Sequence, residues 1–443
     1  MRSGAPTKPR LTLLILTLAF SMSFLDRQLP SVLAQPIKAD LHLSDTDLGL
    51  LSGLYFSLFY TSFGLLMGWL ADRVKRVHLI GVAIVTWSIF TAASGMASNL
   101  WQLVPARMGV GVGESACNPA SYSIISDLYP QSRRGLPMSL FMLGIPIGTI
   151  LGVGIGAWAA ADLGWRWAFA IAGGLGLIVA ATVFLFLREP VRGAHDDHIV
   201  DPSQHAEGFF AAARAMYLVC RSSPLILMAL LCAALGSFVS FGLMVWSPAL
   251  LTRDKAMSLH ELAIFFGPMS GIASMVGIVT GGALMNRFST SRKIYLLMPG
   301  AGFLLGAPCL VAAAFASGWH SALAYLIIPF TFSVVKDAPS VALMHSLVPP
   351  ERRAMATALL VWINSALGLT LGPLFVGRTS DLLQPTYGTA SLQWAFAGLA
   401  PFSVLAALVY FRTARMIAKV DGRAHVRDIL DNHLQPAVVC SDR

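Results

Sequence analysis

Two oppositely charged side chains, Arg107 and Glu114, lie seven positions apart in an otherwise apolar stretch. In an α-helix this spacing puts both on one face, two turns and about 10 Å apart along the axis. The surrounding residues 101–135 are long enough to cross a bilayer, which takes about 20 apolar residues. An ionised group at membrane depth is costly and normally marks a substrate or proton pathway. The pattern predicts a transport site, although a buried pair that only locks two helices together would have the same spacing.

Asp26 and Arg27 form a second charged pair inside an apolar stretch. Counted inward from Leu11, Asp26 lies about 22 Å along its helix, and Arg107 lies about 9 Å from the other end of its own helix. In a hydrocarbon core about 30 Å thick these depths nearly coincide, so Asp26 and Arg107 are expected to pair, with Glu114 nearer the middle. Neighbouring helix residues diverge by about 100°, so Asp26 and Arg27 cannot both face the same partner.

These residue types indicate proton transfer and anion binding. Burial disfavours the charged form of a carboxylate, whereas an adjacent guanidinium favours it. We expect Asp26 to stay ionised against Arg107 while Glu114 takes up and releases a proton. A guanidinium binds carboxylate or phosphate in a bidentate manner, so Arg27 and Arg107 are candidates to bind an anionic head group.

Further candidate substrate contacts are Asn118, Asn364 and the pair Lys336–Asp337, which lies inside an apolar stretch of the second half. In the internal repeat described below, Lys336–Asp337 corresponds to Cys117–Asn118. The pair either extends the polar cavity and tunes substrate choice or is a mutually neutralised structural pair, and both interpretations stay open.

The elements that must position these residues are transmembrane helices. The chain is 56% hydrophobic and only 12% charged, against roughly 25% charged in soluble domains. Such a chain is a polytopic membrane protein of the all-α class. Apolar runs bounded by charges or Gly/Pro clusters predict twelve spans, at roughly 11–34, 48–71, 77–97, 101–127, 136–160, 166–187, 225–250, 260–285, 293–316, 321–346, 354–377 and 390–412.

In the topology that these twelve spans predict, the basic residues divide unevenly between the two sides of the membrane. One side collects 23 of the 31 Lys and Arg residues, including both termini, and the other side has 5. By the positive-inside rule both termini are cytoplasmic, which places a multi-pass protein in the cell's inner (plasma) membrane. The net charge of +9 therefore reflects the basic segments on the cytoplasmic side of the membrane. It does not indicate a nucleic-acid partner.

The two halves of the chain repeat each other. LYPQSRRG at 128–135 recurs as LVPPERRA at 347–354. Two parallel six-helix repeats are the architecture of a rocking-switch transporter with a polar site between them. We expect four parts: a six-helix bundle at 1–187, a cytoplasmic linker with an amphipathic helix at 188–223, a second bundle at 224–412 and a cytoplasmic tail at 413–443.

GWLADRVKR at 68–76 predicts a gate at the cytoplasmic ends of the helices. Its glycine would allow close helix packing, and its charges could pair with those that follow the fourth span, closing that side in one state only. The alternative is an ordinary loop that sets topology. The candidate gate residues are Gly68, Asp72, Arg73, Arg76, Asp127, Arg133 and Arg134.

GWLADRVKR resembles the loop signature of the major facilitator superfamily. Asp26-Arg27, Arg107 with GVGES at 111–115, and MSLFMLGIPIGTILG at 138–152 are similar to the spinster-like branch. The resemblance implies twelve helices and, in that branch, proton coupling in bacterial members and export of sphingosine 1-phosphate or lysophospholipid in animal members. It also implies that Asp26, Arg107 and Glu114 match conserved charged positions.

The expected function is a proton-coupled secondary transporter, acting as a monomer on an amphipathic, lysolipid-like or small organic anion. The alternatives are a symporter of hydrophilic organic or sugar acids and a non-transporting membrane sensor with the same fold. The scattered cysteine and histidine residues have no metal-ligand spacing, and no nucleotide-binding loop or nucleophile motif is present. We therefore expect no enzyme activity, metal or cofactor.

Overall fold

The structure is a computed structural model that describes residues 8–130, 133–193, 221, 223–288, 292–348 and 353–434. All the regular secondary structure in these ranges is helical. Most of the linker, with the greater part of its predicted amphipathic helix, lies outside the described residues.

Twelve helices cross the bundle, and several are built from two pieces. In the first half they are α1, Pro9–Val32; α2, Asp45–Ser52 and Leu54–Ala71; α3, Arg76–Ser94; α4, Leu100–Glu114 and Cys117–Leu128; α5, Gly135–Met142 and Gly144–Asp162; and α6, Trp165–Phe186. A short helix, Ala34–Leu41, follows α1.

The second half repeats this order. Its helices are α7, Pro224–Asp254; α8, Leu259–Glu261 and Gly267–Arg287 joined by the π-helical turn Leu262–Phe266; α9, Ile294–Ala314; α10, Trp319–Val335 and Asp337–Leu347; α11, Arg353–Ile363 and Thr370–Tyr387 joined by the π-helical turn Asn364–Leu369; and α12, Ser391–Ala397 and Leu399–Leu434.

Ten segments in the described residues are long and apolar enough to cross a membrane. One of them, Met355–Val420, contains the crossings of both α11 and α12. The crossing formed by α4 carries Arg107 and Glu114, which lower its hydropathy. The fold is therefore the predicted all-helical membrane bundle with twelve helices.

Two helix ends differ from the prediction. α11 continues to Tyr387, ten residues beyond the expected end, and α12 continues to Leu434, inside the region predicted as a tail. Hydropathy marks where a chain leaves the apolar layer, but a helix of good helix formers continues past that point. The other predicted boundaries agree with the structure to within about four residues.

Helices α5 and α11 both depart from regular α-helix part-way along their length. The α5 helix is interrupted at Leu143, just before Gly144-Ile145-Pro146, and α11 has its π-helical turn just before Thr370. Proline removes a helix hydrogen bond, and a π-helical turn inserts an extra residue, so both sites deform more easily than regular helix.

The basic loops lie at one end of the bundle, which we call the basic end; the other is the far end. At the far end the two halves pack backbone to backbone. A Cβ on Gly49 would meet the Pro373 carbonyl oxygen at 2.8 Å, and one on Gly53 would meet that of Leu369 at 2.6 Å. Only glycine fits such contacts.

The two halves are apart at the basic end. Among the described residues, no atom lies within 4 Å of a Cβ built on Gly68 or on its repeat counterpart Gly282. In this conformation no described atom comes as close to Gly68 as the prediction expects for the closed gate, so that contact stays a prediction. The bundle is open toward the basic end.

Candidate functional site

Asp26 on α1 and Arg107 on α4 face each other, as the depth count predicts. Their Oδ1 and Nη1 atoms are 3.7 Å apart. The other carboxylate oxygen of Asp26 accepts a hydrogen bond from the Thr91 hydroxyl on α3. Asp26 is 3% exposed and Arg107 is 2% exposed, so three helices enclose the pair.

Arg27 on α1 pairs with Glu114 on α4. Arg27 Nε and Glu114 Oε2 are 2.7 Å apart, and the Ser23 hydroxyl donates to the same oxygen at 2.7 Å. The Glu114 side chain is fully buried, whereas the Arg27 side chain keeps 17% exposure. Sequence reasoning missed this pair and Ser23, although Ser23 lies four residues before Arg27 and hence on the same helix face.

Three aromatic rings surround the Arg27 guanidinium. Its Cζ lies 4.9 Å from the ring centroid of Phe24, 5.1 Å from that of Phe56 and 4.6 Å from that of Tyr60. These distances are within the range of cation–π attraction. The aromatic rings therefore hold the guanidinium beside Glu114, and sequence reasoning did not find them.

The glycines of GVGES let neighbouring helices approach α4. A Cβ on Gly111 would lie 2.6 Å from the Phe56 carbonyl oxygen on α2, and one on Gly113 would lie 2.8 Å from the backbone nitrogen of Trp87 on α3. The glycine spacing thus brings α2 and α3 against the helix that carries Arg107 and Glu114.

The charged cluster keeps unused hydrogen-bonding capacity. Among the described residues, Asp26 Oδ1, Glu114 Oε1 and both Nε and Nη1 of Arg107 are buried without a hydrogen-bond partner. Buried polar atoms generally find partners. The site therefore has free acceptors and donors for protons and polar ligand groups.

The remaining candidate substrate residues divide between the halves. Asn118 donates from Nδ2 to the Tyr60 hydroxyl at 3.3 Å and so joins the first-half cluster. In the second half, the buried Lys336 Nζ lies 2.6 Å from Asp337 Oδ1, and Asn364 accepts from Ser237 at 2.8 Å. No hydrogen bond or ion pair described in the structure joins these second-half residues to the four charges of the first half.

The position of Lys336–Asp337 agrees with the internal repeat. Lys336 lies at the break between the two pieces of α10, and Ser115–Ala116 lie at the corresponding break of α4. The Asp337 side chain is 56% exposed although its partner is buried. A structural pair and a cavity-lining pair are both compatible with this geometry.

The predicted gate residues form a cluster centred on Arg76. Its guanidinium pairs with Asp127 and, from Nε at 2.7 Å, with Glu189. Asp127 also accepts from the backbone of Gly193 at 2.9 Å. Sequence reasoning missed Glu189 because it lies in an irregular segment after α6. The cluster joins the first bundle to the start of the linker and is present while the basic end is open.

The other gate candidates make different described contacts. Arg73 lies over the ring of Trp69, with its Cζ 4.1 Å from the centroid. Arg134 donates to the Tyr129 carbonyl oxygen at 2.9 Å, and Arg133 is exposed. The backbone carbonyl of Asp72 accepts from Arg192. Of the predicted gate pairs, the described contacts include Arg76–Asp127, and the pairing of Asp72 and Arg73 with the residues at the end of α4 stays a prediction.

Comparison with known proteins agrees with this architecture. The model of the Major Facilitator Superfamily matches residues 16–373. The chain belongs to this superfamily, so it is a membrane transporter of that class and not an enzyme.

Within the superfamily, the chain is similar to spinster-type proteins. An MFS-type efflux pump of Mycolicibacterium smegmatis is 30% identical over 401 residues, which cover 90% of each chain. The sphingosine-1-phosphate transporter SPNS2 of Danio rerio is 27% identical over 87% of this chain and 78% of its own. The crystal structure of a bacterial homolog of the human lysosomal transporter spinster, inward-facing and unoccupied, has a TM-score of 0.83 and 28% identity, covering 94% of this chain and 99% of that one. The resemblance to the spinster-like branch is confirmed.

Proposed function

We propose that the protein is a proton-coupled secondary transporter that moves an amphipathic, lysolipid-like anion by alternating access. It acts as a monomer in the inner membrane with both termini cytoplasmic, so the basic end is the cytoplasmic end. The moving units are the bundles at 1–187 and 224–412, joined by the linker at 188–223.

The observation that carries this proposal is the pair of buried ion pairs, Asp26–Arg107 and Arg27–Glu114. Four charges buried in an apolar bundle cost more than packed hydrocarbon would, and their pairing offsets only part of that cost. Alternating access needs such a site in a bundle that opens at one end at a time. The opening at the basic end provides one of the two required states.

Arg27 is the group that we propose receives the anionic head group. Its Nε is hydrogen-bonded to Glu114, Tyr60 lies beside the guanidinium, and the side chain keeps 17% exposure; we infer that its remaining N–H groups make the contact with the anion. An anion bound about 5 Å from the Glu114 carboxylate would repel it by about 3 kcal/mol at an effective dielectric constant near 20. Anion binding at Arg27 therefore favours protonation of Glu114, so substrate binding and proton uptake are coupled.

Asp26 is proposed to stay ionised throughout. The Thr91 hydroxyl and the Arg107 guanidinium both face its carboxylate. A hydrogen-bond donor and a positive charge each favour the ionised form. The two carboxylates then have different roles, with Asp26 fixing Arg107 and Glu114 exchanging the proton.

The aromatic wall supports an amphipathic substrate. Phe24, Phe56 and Tyr60 line the Arg27 side of the site, so an apolar chain attached to an anionic head group would meet apolar surface. The relative named as a sphingosine-1-phosphate transporter supports the same class. The exposed Asp337 carboxylate and Asn364 favour the second candidate, a symporter of hydrophilic organic or sugar acids.

The test is a proton-flux assay in proteoliposomes that contain purified protein and a pH-sensitive dye. We expect proton movement on addition of lysophospholipids and none with small organic or sugar acids. The Glu114→Gln variant should fold normally and give no substrate-dependent proton flux. Flux with the small acids alone would establish the second candidate. Retained proton flux in Glu114→Gln would remove Glu114 from its role, and no flux with any compound would contradict transport.

A further inference from the structure

One aromatic ring of α2 lies within reach of both guanidinium groups. The Phe56 ring centroid is 5.1 Å from Cζ of Arg27 and 5.8 Å from Cζ of Arg107. Both distances are inside the limit of about 6 Å for cation–π attraction. Phe56 also stacks on Tyr60, with centroids 5.4 Å apart and planes 17° apart. The two ion pairs of the site therefore share a contact through Phe56.

The backbone around Phe56 is fixed on both sides. Its carbonyl oxygen packs on Gly111 of α4, where a Cβ would come within 2.6 Å. The next residue, Ser57, forms a buried hydroxyl–hydroxyl hydrogen bond of 2.6 Å with Thr370 on α11. Phe56 itself is 2% exposed. The ring has no room to move away, so its position relative to the guanidinium groups is set by the packing of α2.

This arrangement matters when Glu114 is protonated. Arg27 then loses its ionic partner, and a desolvated guanidinium without a partner turns toward any other negative charge within reach. Asp26 is the other carboxylate of the site, but it is already paired with Arg107. The negative faces of the Phe24, Phe56 and Tyr60 rings are then the attraction that keeps Arg27 in place.

We propose that Phe56 is a positioning residue for proton coupling: it holds Arg27 against Glu114 and keeps the Arg27–Glu114 and Arg107–Asp26 pairs separate. The inference rests on the proposed role of Glu114 as the proton carrier. Phe56 does not exchange a proton or bind the proton carrier itself; it acts through the guanidinium groups.

The ion-pair partner of Glu114, its hydrogen-bond donor and the other titratable groups of the site come from three helices. They are Ser23, Asp26 and Arg27 on α1, Tyr60 on α2, and Arg107 and Cys117 on α4. All of them remain in a Phe56→Leu variant. A change in the protonation of Glu114 in that variant therefore reports the placement of these groups and not their removal.

The test is an infrared pH titration of purified full-length protein in detergent. The carboxylic-acid C=O stretching band that disappears in Glu114→Gln belongs to Glu114. In Phe56→Leu we expect the midpoint of this band to move up by about one pH unit, because a looser Arg27 stabilises the carboxylate less. Phe63→Leu is the matched control on the same helix, since Phe63 stacks on Phe59, and it should keep the wild-type midpoint.

A second pair of variants covers the case in which Phe56→Leu does not fold. Tyr60→Leu removes another of the three rings beside Arg27 and should raise the midpoint in the same direction, whereas Tyr60→Phe keeps the ring and should raise the midpoint less. In the Glu114→Gln background, Phe56→Leu should not alter the pH dependence of thermal unfolding.

The outcomes distinguish the positioning role of Phe56 from the proposed role of Glu114 as the proton carrier. If Glu114→Gln removes the band but Phe56→Leu titrates at the wild-type midpoint, the positioning role is overturned and the proposed function stands. A midpoint that moves down, an equal shift in Phe63→Leu, or a further pH effect in the double variant would each overturn the positioning role as well. If Glu114→Gln keeps every titrating band, Glu114 is not the proton carrier and both claims fail.

Discussion

Asp45 at the start of α2 and Arg253 near the end of α7 form an ion pair between the two halves of the molecule, with Oδ2 and Nη1 2.8 Å apart. The Asp45 side chain is 2% exposed. It also accepts from Ser380 on α11 at 2.6 Å and pairs with Lys38. One carboxylate of the first half is thus held by two groups of the second half, and the second-half carboxylate of Asp381 in turn accepts from the backbone N–H groups of Asp45 and Thr46.

Replacing Arg253 with Gln should favour opening of the far end. A buried carboxylate that loses a charged partner costs roughly 3–5 kcal/mol, but Lys38 remains beside Asp45, so we expect about 1–2 kcal/mol in favour of the open state. Distances between spin labels at Leu163 and His320, both exposed at the far end, measure the opening. The matched control is Arg166→Gln, whose exposed ion pair with Asp40 lies within the first half. An unchanged distance distribution in Arg253→Gln would contradict the assignment.

Replacing Asp26 with Asn should destabilise the protein more than a surface charge removal does. Arg107 would be left 2% exposed without a carboxylate, at a cost of roughly 3–5 kcal/mol. Thermal unfolding in detergent measures the loss. The double variant Asp26→Asn/Arg107→Gln should recover part of it, because the uncompensated charge is gone. If the double variant is less stable than Asp26→Asn, charge burial is not the cause.

Replacing Gly53 with Ala should disrupt the packing of the far end. The added methyl would lie 2.6 Å from the Leu369 carbonyl oxygen and 3.2 Å from that of Thr370. We expect lower thermal stability and a larger distance between the same spin labels at Leu163 and His320. Gly174→Ala is the control, because no described atom lies within 4 Å of its Cβ position; it should be neutral or stabilising by up to about 1 kcal/mol. Equal effects of the two substitutions would contradict the prediction.

Asp40 gives the far end a defined acid sensitivity. Hydrogen bonds from Arg166 and Trp165 hold the pKa of this carboxyl below its ordinary value of 3.8. A lowered pKa in the folded state contributes stability that is complete above 3.8 and is lost as the pH falls through the folded-state pKa. We expect Asp40→Asn to lower stability at neutral pH slightly and to remove that part of the acid-induced loss. Unfolding curves measured across acid pH test this, and identical pH profiles would contradict it.

The sequence was enough to predict how deep the charged side chains lie in the membrane. It was not enough to predict which partner each of them faces. The rise of a helix and the thickness of a bilayer fix how deep Asp26 and Arg107 lie, and the structure places them 3.7 Å apart. The Arg27–Glu114 pair depends instead on how α1 is rotated against α4, and therefore on how both helices pack against the rest of the bundle. No local pattern in the sequence contains that rotation.

The predicted gate shows a second limit of sequence-based prediction. Arg76–Asp127 was within the predicted set, because both residues flank predicted helix ends. Glu189 was not, since an irregular segment has no periodicity that indicates where it folds back. The contact expected at Gly68 depends on the conformational state. The sequence does not indicate which state a particular structure represents.

The far-end seam has glycines facing main-chain carbonyl oxygens. Side chains at a seam can change rotamer and keep touching as the surfaces separate, but main-chain atoms held at van der Waals distance have no such adjustment. Contact there is either complete or lost. Closure of the far end should therefore behave as a discrete step, so the two bundles would separate abruptly and not by a graded loosening.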